Sequence, residues 1–231
     1  MWDEAASKKF LSPTLSRKFV LKKYVLRVVG SLRGKQLLEF GCGSGFWTRL
    51  FRDAGAVCTG VDASRKQIEL ARSLGENDIV YIVKDASVFR SKSRFDIVYI
   101  DHVLSETSST RKAGAILASA RRALKKEGML VLSEVHPSIA HFSFPNARPG
   151  KGYSYFRRGA ELLFNVEQEN GEHIAIRDYH WALSDISLLL KKAGFLIEEV
   201  IEPRAPASAP GKYLKLRHKS PSHIIIKARL A

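Results

Sequence analysis

At 231 residues, 45% of them hydrophobic and 26% charged, the chain has the composition of an ordinary globular protein and the length for one α/β domain, with or without a lid. Two cysteines, Cys42 and Cys58, exclude a disulfide framework or a zinc-ligand pattern, and no apolar run is long enough to span a bilayer, so a reduced, cytoplasmic protein without a membrane partner is expected. The formal net charge of +15 would suit a polyanionic partner or an acidic small substrate, but the basic residues are spread over several predicted helices and read as a solvated surface.

Met-Trp-Asp-Glu opens the chain without the basic-then-apolar order of a signal peptide. A helix is predicted from Pro13-Thr14 to about Val29, closed by Gly30; its Arg17, Lys18, Lys22, Lys23 and Arg27 alternate with Phe19, Val20, Val25 and Leu26, as snorkelling cations on an amphipathic helix do. Leu37 to Phe40 reads as a buried parallel strand. It runs into glycines at 41, 43 and 45, with Ser44 as the expected cap of a helix carrying Phe46, Trp47, Leu50 and Phe51. Strand, glycine turn and helix in that order leave backbone N–H groups at a helix N-terminus where no side chain blocks a ligand.

Ala56 to Asp62 is a second strand with an acid at its C-terminal end, where α/β sheets place ligand contacts, followed by an amphipathic helix opened by Ala63-Ser64. Ile79–Val83 and Phe95–Ile100 are the third and fourth strands, ending in Asp85-Ala86 and Asp101-His102. A helix over about 111–124 precedes Gly128 and a fifth strand, Met129–Val135. Strands alternating with helices imply a parallel, doubly wound α/β sheet. Residues 136–181 break that rhythm with an aromatic stretch and one short hairpin around Gly171; a long irregular segment inside a compact domain is usually functional, and it is expected to be a substrate lid. Ser184 is the expected cap of the last helix, which Gly194 stops, and strands at 195–200 and 224–228 close the chain.

The spacing G-x-G-x-G after Glu39 differs from the dinucleotide fingerprint G-x-G-x-x-G, which counts against a dehydrogenase. Glu39 through Gly45 resembles the first motif of the class I S-adenosylmethionine (SAM) methyltransferases. The run V-D-A-S-x-x-x-I-x-x-A-R around Asp62 is similar to their second motif, and Phe95-Asp96-Ile97-Val98 to their F-D-x-V strand. Residues 1–10, with Trp2 and Phe10, look like the aromatic entry segment of small-molecule members, and Tyr179 to Pro203 resembles a stretch found in relatives of the quinone-biosynthesis group. The resemblance implies a single domain over 1–231, with a helical cap at 1–34 and the lid at 136–181. Its sheet would be Rossmann-like and seven-stranded, with the last strand antiparallel. It further implies SAM as cofactor, contacted by Trp2, Glu39, Phe40, Gly41, Cys42, Gly43, Gly45, Trp47, Asp62, Ala63, Asp85, Ala86 and Asp101, with Asp62 on the ribose diol and Asp85 on the adenine amino group.

Methyl transfer from a sulfonium asks mainly for alignment and water exclusion, with a modest base at most. His136 and His180 are the candidate catalytic bases, with His102 and His141 ranked behind them, and no metal is expected. The acceptor is expected to be a small, planar or apolar molecule, methylated on O, N or C. An RNA or protein methyltransferase, favoured by charge alone, and a non-catalytic SAM-binding protein are the alternatives. The exocyclic-amine signature N/D-P-P-Y is absent from the end of the fourth strand.

Overall fold

The computed structural model describes residues 14–74, 78–141, 147–207 and 220–231. In chain order the elements are α1 (Lys22–Val29), β1 (Gln36–Phe40), α2 (Phe46–Asp53), β2 (Val57–Asp62), α3 (Arg65–Leu74), β3 (Val80–Val83), β4 (Phe95–Asp101), α4 (Thr110–Ala123) and β5 (Leu124–Val135). Then follow β6 (Ala147–Pro149), β7 (Glu161–Glu167), β8 (His173–Tyr179), α5 (Leu183–Lys192), β9 (Phe195–Ile201) and β10 (His223–Leu230). Seven strands form one sheet in the order β3-β2-β1-β4-β5-β10-β9, parallel except for β10, which runs antiparallel to both neighbours. The expected doubly wound sheet with an antiparallel last strand is the one found.

Side-chain alternation along the strands builds a core on each face. Leu38, Phe40, Val98, Ile100, Leu130 and Leu132 pack on α4 and α5. Their neighbours Leu37, Ile97, Tyr99 and Val131 pack on α1, α2 and α3 through Val25, Trp47, Phe51 and Ile68. The strand order reverses between β1 and β4, the topological switch point at which such sheets bind ligands beyond their C-terminal ends.

Three local expectations are corrected. The first helix does not run as one α-helix from residue 14: Arg17–Leu21 is a π-helical turn ahead of α1, a geometry that recurs at functional sites. Helix α2 is capped by Gly45 at φ +83° rather than by Ser44, because the turn carries on one residue further in a left-handed conformation that suits glycine. Helix α5 starts after Ala182, not Ser184, because the Asp185 carboxylate accepts the Ala182 N–H at 3.2 Å.

Within the segment that breaks the rhythm, β6, β7 and β8 form a small antiparallel sheet that includes the expected hairpin, lengthened to Glu161–Glu167 and His173–Tyr179. It is tied to the main body where Tyr179 N–H donates to Ser105 O (2.7 Å) and Trp181 Nε1 donates to Leu104 O (2.9 Å) and Thr107 O (3.1 Å). Its hairpin also meets the N-terminal segment, through a Thr14–Gln168 bridge and a Lys18–Glu169 ion pair. No helix among the described residues is long and apolar enough to cross a membrane.

Candidate active site

Register puts four strand ends on one shelf. Phe40 on β1 pairs with Val61 on β2 and Ile100 on β4, and Asp62 pairs with Val83 on β3. The glycine turn, Asp62, Asp85-Ala86 and Asp101 therefore leave the sheet side by side. In the turn Gly41, Gly43 and Gly45 all have positive φ. A Cβ on Gly41 would run into Val103 beyond β4, and one on Gly45 into the Tyr81 hydroxyl, whereas above Gly43 only Gln67 Oε1 comes near, at 3.6 Å. The turn is thus packed tight below and left bare above.

Asp62 spans the shelf: its Oδ2 accepts the Gly43 N–H at 2.9 Å and its Oδ1 the Ser64 N–H at 2.8 Å. It both fixes the turn ahead of α3, which Ser64 caps by accepting the Gln67 N–H at 3.3 Å, and holds the glycine turn, while Ala63 beside it is exposed. Asp85 accepts the Ser87 N–H at 2.8 Å and pairs with Lys112 at 3.2 Å; burial alone would raise its pKa, but these partners outweigh that and lower it. Ala86 is buried beneath it.

Several of the expected contact residues turn inward. Phe40, Cys42 and Trp47 are buried, so the first two offer a ligand their backbone only. Trp47 Nε1 donates instead to Asp101 Oδ2 at 3.0 Å. Glu39, 1% exposed, accepts the Thr48 hydroxyl and so pins α2 to β1; burial pushes its carboxyl up to about 8. Trp2 and Phe10 lie outside the described residues.

Asp101 is the hub of this end. Arg17 Nε donates to its Oδ2 at 2.8 Å, and the Tyr99 hydroxyl reaches its Oδ1 at 3.4 Å. Burial would raise this carboxyl, yet His102, Arg17 and the Trp47 N–H more than offset it and hold the pKa at about 2.

Beyond β5, on the α4–α5 face, a cavity of about 20 Å³ is lined by Ser105, Glu134, His136, Asp178, His180 and Trp181, among others. That is room for about one water. Glu134 accepts the N–H groups of Leu104 (2.8 Å) and Ser105 (3.3 Å). Burial, with Asp178 and Asp101 adding to it, pushes Glu134 up to about 8, and burial pushes Asp178 to about 7. Among the described residues no lysine or arginine lines this cavity.

The two candidate bases are both on its wall. His136 donates from Nε2 to Glu202 Oε1 (2.9 Å) and accepts the Ser138 N–H at Nδ1 (3.1 Å), so both ring nitrogens are engaged. His180 donates from Nε2 to Tyr155 O at 2.6 Å. Burial lowers the pKa of both rings.

Residues 16–200 match a family model described as a methyltransferase domain. The chain belongs to that methyltransferase-domain family. It is 28% identical over 148 residues to a ubiquinone biosynthesis O-methyltransferase of Coxiella burnetii, an alignment covering 62% of this chain and 57% of the relative. The chain thus spans little more than half the length of the relatives it matches in this way. Among solved structures, an S-adenosylmethionine-dependent methyltransferase from Mesorhizobium loti superposes with a TM-score of 0.67 at 19% identity, over 90% of this chain and 96% of that one. The glycopeptide N-methyltransferase MtfA, solved with SAM, superposes with a TM-score of 0.66 at 20% identity, over 96% of each chain. At these identities the likeness is one of fold.

In this methyltransferase-domain chain, sequence reasoning missed Arg17, Glu134 and Asp178. Arg17 was hidden in a basic cluster that reads as solvated. Glu134 did carry a signal, an acid closing the apolar run of β5. Asp178 carried none, because only the fold brings β8 up to the end of β5. Among the described residues no cluster of potential ligands could hold a metal ion.

Proposed function

We propose that this chain is a SAM-dependent methyltransferase, acting on O, N or C of a small, planar or apolar acceptor. The observation that carries the reading is the shelf at the switch point, where a bare glycine turn is held by a carboxylate on the next strand, the Gly43–Asp62 bond of 2.9 Å. The residues fit the cofactor: Asp62 has the two oxygens a ribose diol needs, Asp85 can accept from the adenine amino group, and Ala86 leaves space for a ring. Arg17 brings a cation next to two buried acids, Asp101 and Glu39, which suits the amino-acid end of the molecule. When bound, SAM supplies a methyl group already activated on a sulfonium.

The protein's part is alignment and exclusion of water. Residues 136–181 form the lid in this reading and the N-terminal residues a cap, within one domain over 1–231. His136 and His180, both tethered by hydrogen bonds, border the lid and stand on the acceptor side in this reading. The O-methyltransferase and N-methyltransferase names of the relatives support a small acceptor over RNA. Two free, buried cysteines, Cys42 and Cys58, support a reducing compartment such as the cytoplasm.

Calorimetric titration with S-adenosylhomocysteine tests this. Binding on the order of micromolar Kd is expected for the native chain, with a loss of at least about tenfold in Asp62→Ala. A well-folded native chain that binds none overturns the reading.

A further inference from the structure

Two strands that meet carry an acid where side-chain alternation calls for an apolar residue. On β5 the buried face reads Leu130, Leu132, Glu134, and on β8 the face of Ile174 and Ile176 continues to Asp178. Glu134 is 3% exposed and Asp178 6%. A buried acid without a cation is costly, and two close together cost more when both are charged.

Ser105 joins them. Its N–H donates to Glu134 Oε2 at 3.3 Å, its side chain hydrogen-bonds with the Asp178 carboxyl, and its carbonyl accepts the Tyr179 N–H at 2.7 Å. Leu104 repeats the pattern, giving its N–H to Glu134 Oε1 (2.8 Å) while its carbonyl accepts Trp181 Nε1 (2.9 Å). Residues 104 and 105 are thus a bridge between the main sheet and the β6–β8 sheet. Glu134 is fixed in a strand held between β4 and β10, whereas Asp178 belongs to the smaller sheet.

We propose that Glu134, Ser105 and Asp178 form a proton-operated latch, which holds the β6–β8 sheet on the main body while the acid pair keeps a proton and releases it when both acids ionise. In the reading above that sheet is the lid, so the latch governs access to the acceptor side. The latch itself needs no cofactor, and its test stands apart from the methyltransferase reading.

The surroundings set the direction. The titratable groups around the pair are Asp101 on β4, His136 beyond β5, and Tyr179 and His180 at the end of β8. Asp101 adds to the repulsion on Glu134. Burial lowers the pKa of both histidine rings, so neither brings a positive charge at neutral pH. Burial pushes Glu134 to about 8 and Asp178 to about 7. An acid raised in the closed state and ordinary in the open one leaves closure intact below its ordinary value, 3.8 for Asp178, and weakens it as pH climbs through the raised one. Opening lets Asp178 reach water while Glu134 stays in its strand. The smaller sheet therefore lets go as pH rises, by a factor of about ten for each unit by which Asp178 is raised within the range covered.

Hydrogen exchange resolved by NMR, on the full chain without added ligand, tests this at pH 5 and pH 9 after correction for the intrinsic change in exchange rate. The reporter is the Tyr179 amide, whose bond to Ser105 O joins the two sheets. The β4 amides, in the middle of the main sheet, are the internal reference. In the native chain the Tyr179 amide is expected to lose at least about tenfold of its protection from pH 5 to pH 9 while β4 keeps its own. Asp178→Asn, close in size and unable to ionise, should abolish that loss, and Glu134→Gln should lessen it. Tyr179 protection that does not change with pH in the native chain, or a loss shared equally by β4, overturns the latch. So does a native-sized loss in Asp178→Asn or, should that variant fail to fold, in Glu134→Gln.

Discussion

Asp101 and Glu134 end neighbouring strands of the same sheet, and both are almost wholly buried, yet they are pushed in opposite directions. Asp101 faces the α1–α3 side, where the charges of His102 and Arg17 and the hydrogen bonds from Trp47 and Arg17 outweigh burial, and its pKa falls to about 2. Glu134 faces the α4–α5 side, where it has two backbone N–H groups, a second acid nearby and, among the described residues, no lysine or arginine lining its cavity, and burial raises it to about 8. Burial alone therefore does not set the charge of a strand end. What decides it is which groups stand beside the carboxyl: His102 and Arg17 at Asp101, a second acid at Glu134. One strand end favours the charged carboxylate, the other the protonated acid.

The strongest way to break this contrast is Arg17→Met. It leaves Asp101, whose side chain is 0% exposed, without its cation, and a loss of about 3–5 kcal/mol is expected in urea unfolding at pH 7. A loss below about 1 kcal/mol would mean that Trp47 and Tyr99 alone carry the charge.

The pH dependence of stability sharpens it next, because the two ends have opposite signs. The folded pKa of Asp101 is depressed, so its contribution is present above its ordinary value of 3.8 and is lost as pH falls towards about 2. Glu134 and Asp178 are raised, so their destabilising effect is absent in acid and develops as pH rises from their ordinary values, 4.5 and 3.8, through about 8 and about 7. Glu134→Gln with Asp178→Asn should thus gain several kcal/mol over the native chain at pH 9 relative to pH 5, at about 1.4 kcal/mol for each pH unit by which a group is raised within that window. Parallel pH profiles for variant and native chain would remove the Glu134 half of the comparison.

Gly45→Ala probes the floor of the cofactor shelf. A left-handed φ of +83° and a methyl group directed at the Tyr81 hydroxyl should together cost about 2 kcal/mol in thermal unfolding, with weakened S-adenosylhomocysteine binding. The smallest expected effect belongs to a site outside both ends. Ser109 caps α4 by accepting the Lys112 N–H at 3.3 Å, and Ser109→Ala should cost about 1 kcal/mol at every pH. A pH-dependent loss there would show that the profiles above report the whole fold rather than the two carboxylates.

Much of the fold was legible because its signals are local. Apolar runs, glycines at positive-φ turns and helical spacing act over a few residues, so the seven strands of the main sheet and the glycine shelf fall near where the sequence puts them, while β5 starts earlier, at Leu124, β6 was not foreseen, and the caps at Gly45 and Ala182 slipped by a residue or two. Asp62 was legible for the same reason, as an acid ending a strand beside a glycine turn. The tertiary structure alone decided which buried acids are pushed towards charge and which towards neutrality. Arg17 meets Asp101 across 84 positions of sequence, and Asp178 nears Glu134 only because β8 folds back over β5. Electrostatic fields depend on distance in space and on what water is excluded, and neither is written in the spacing of residues along the chain.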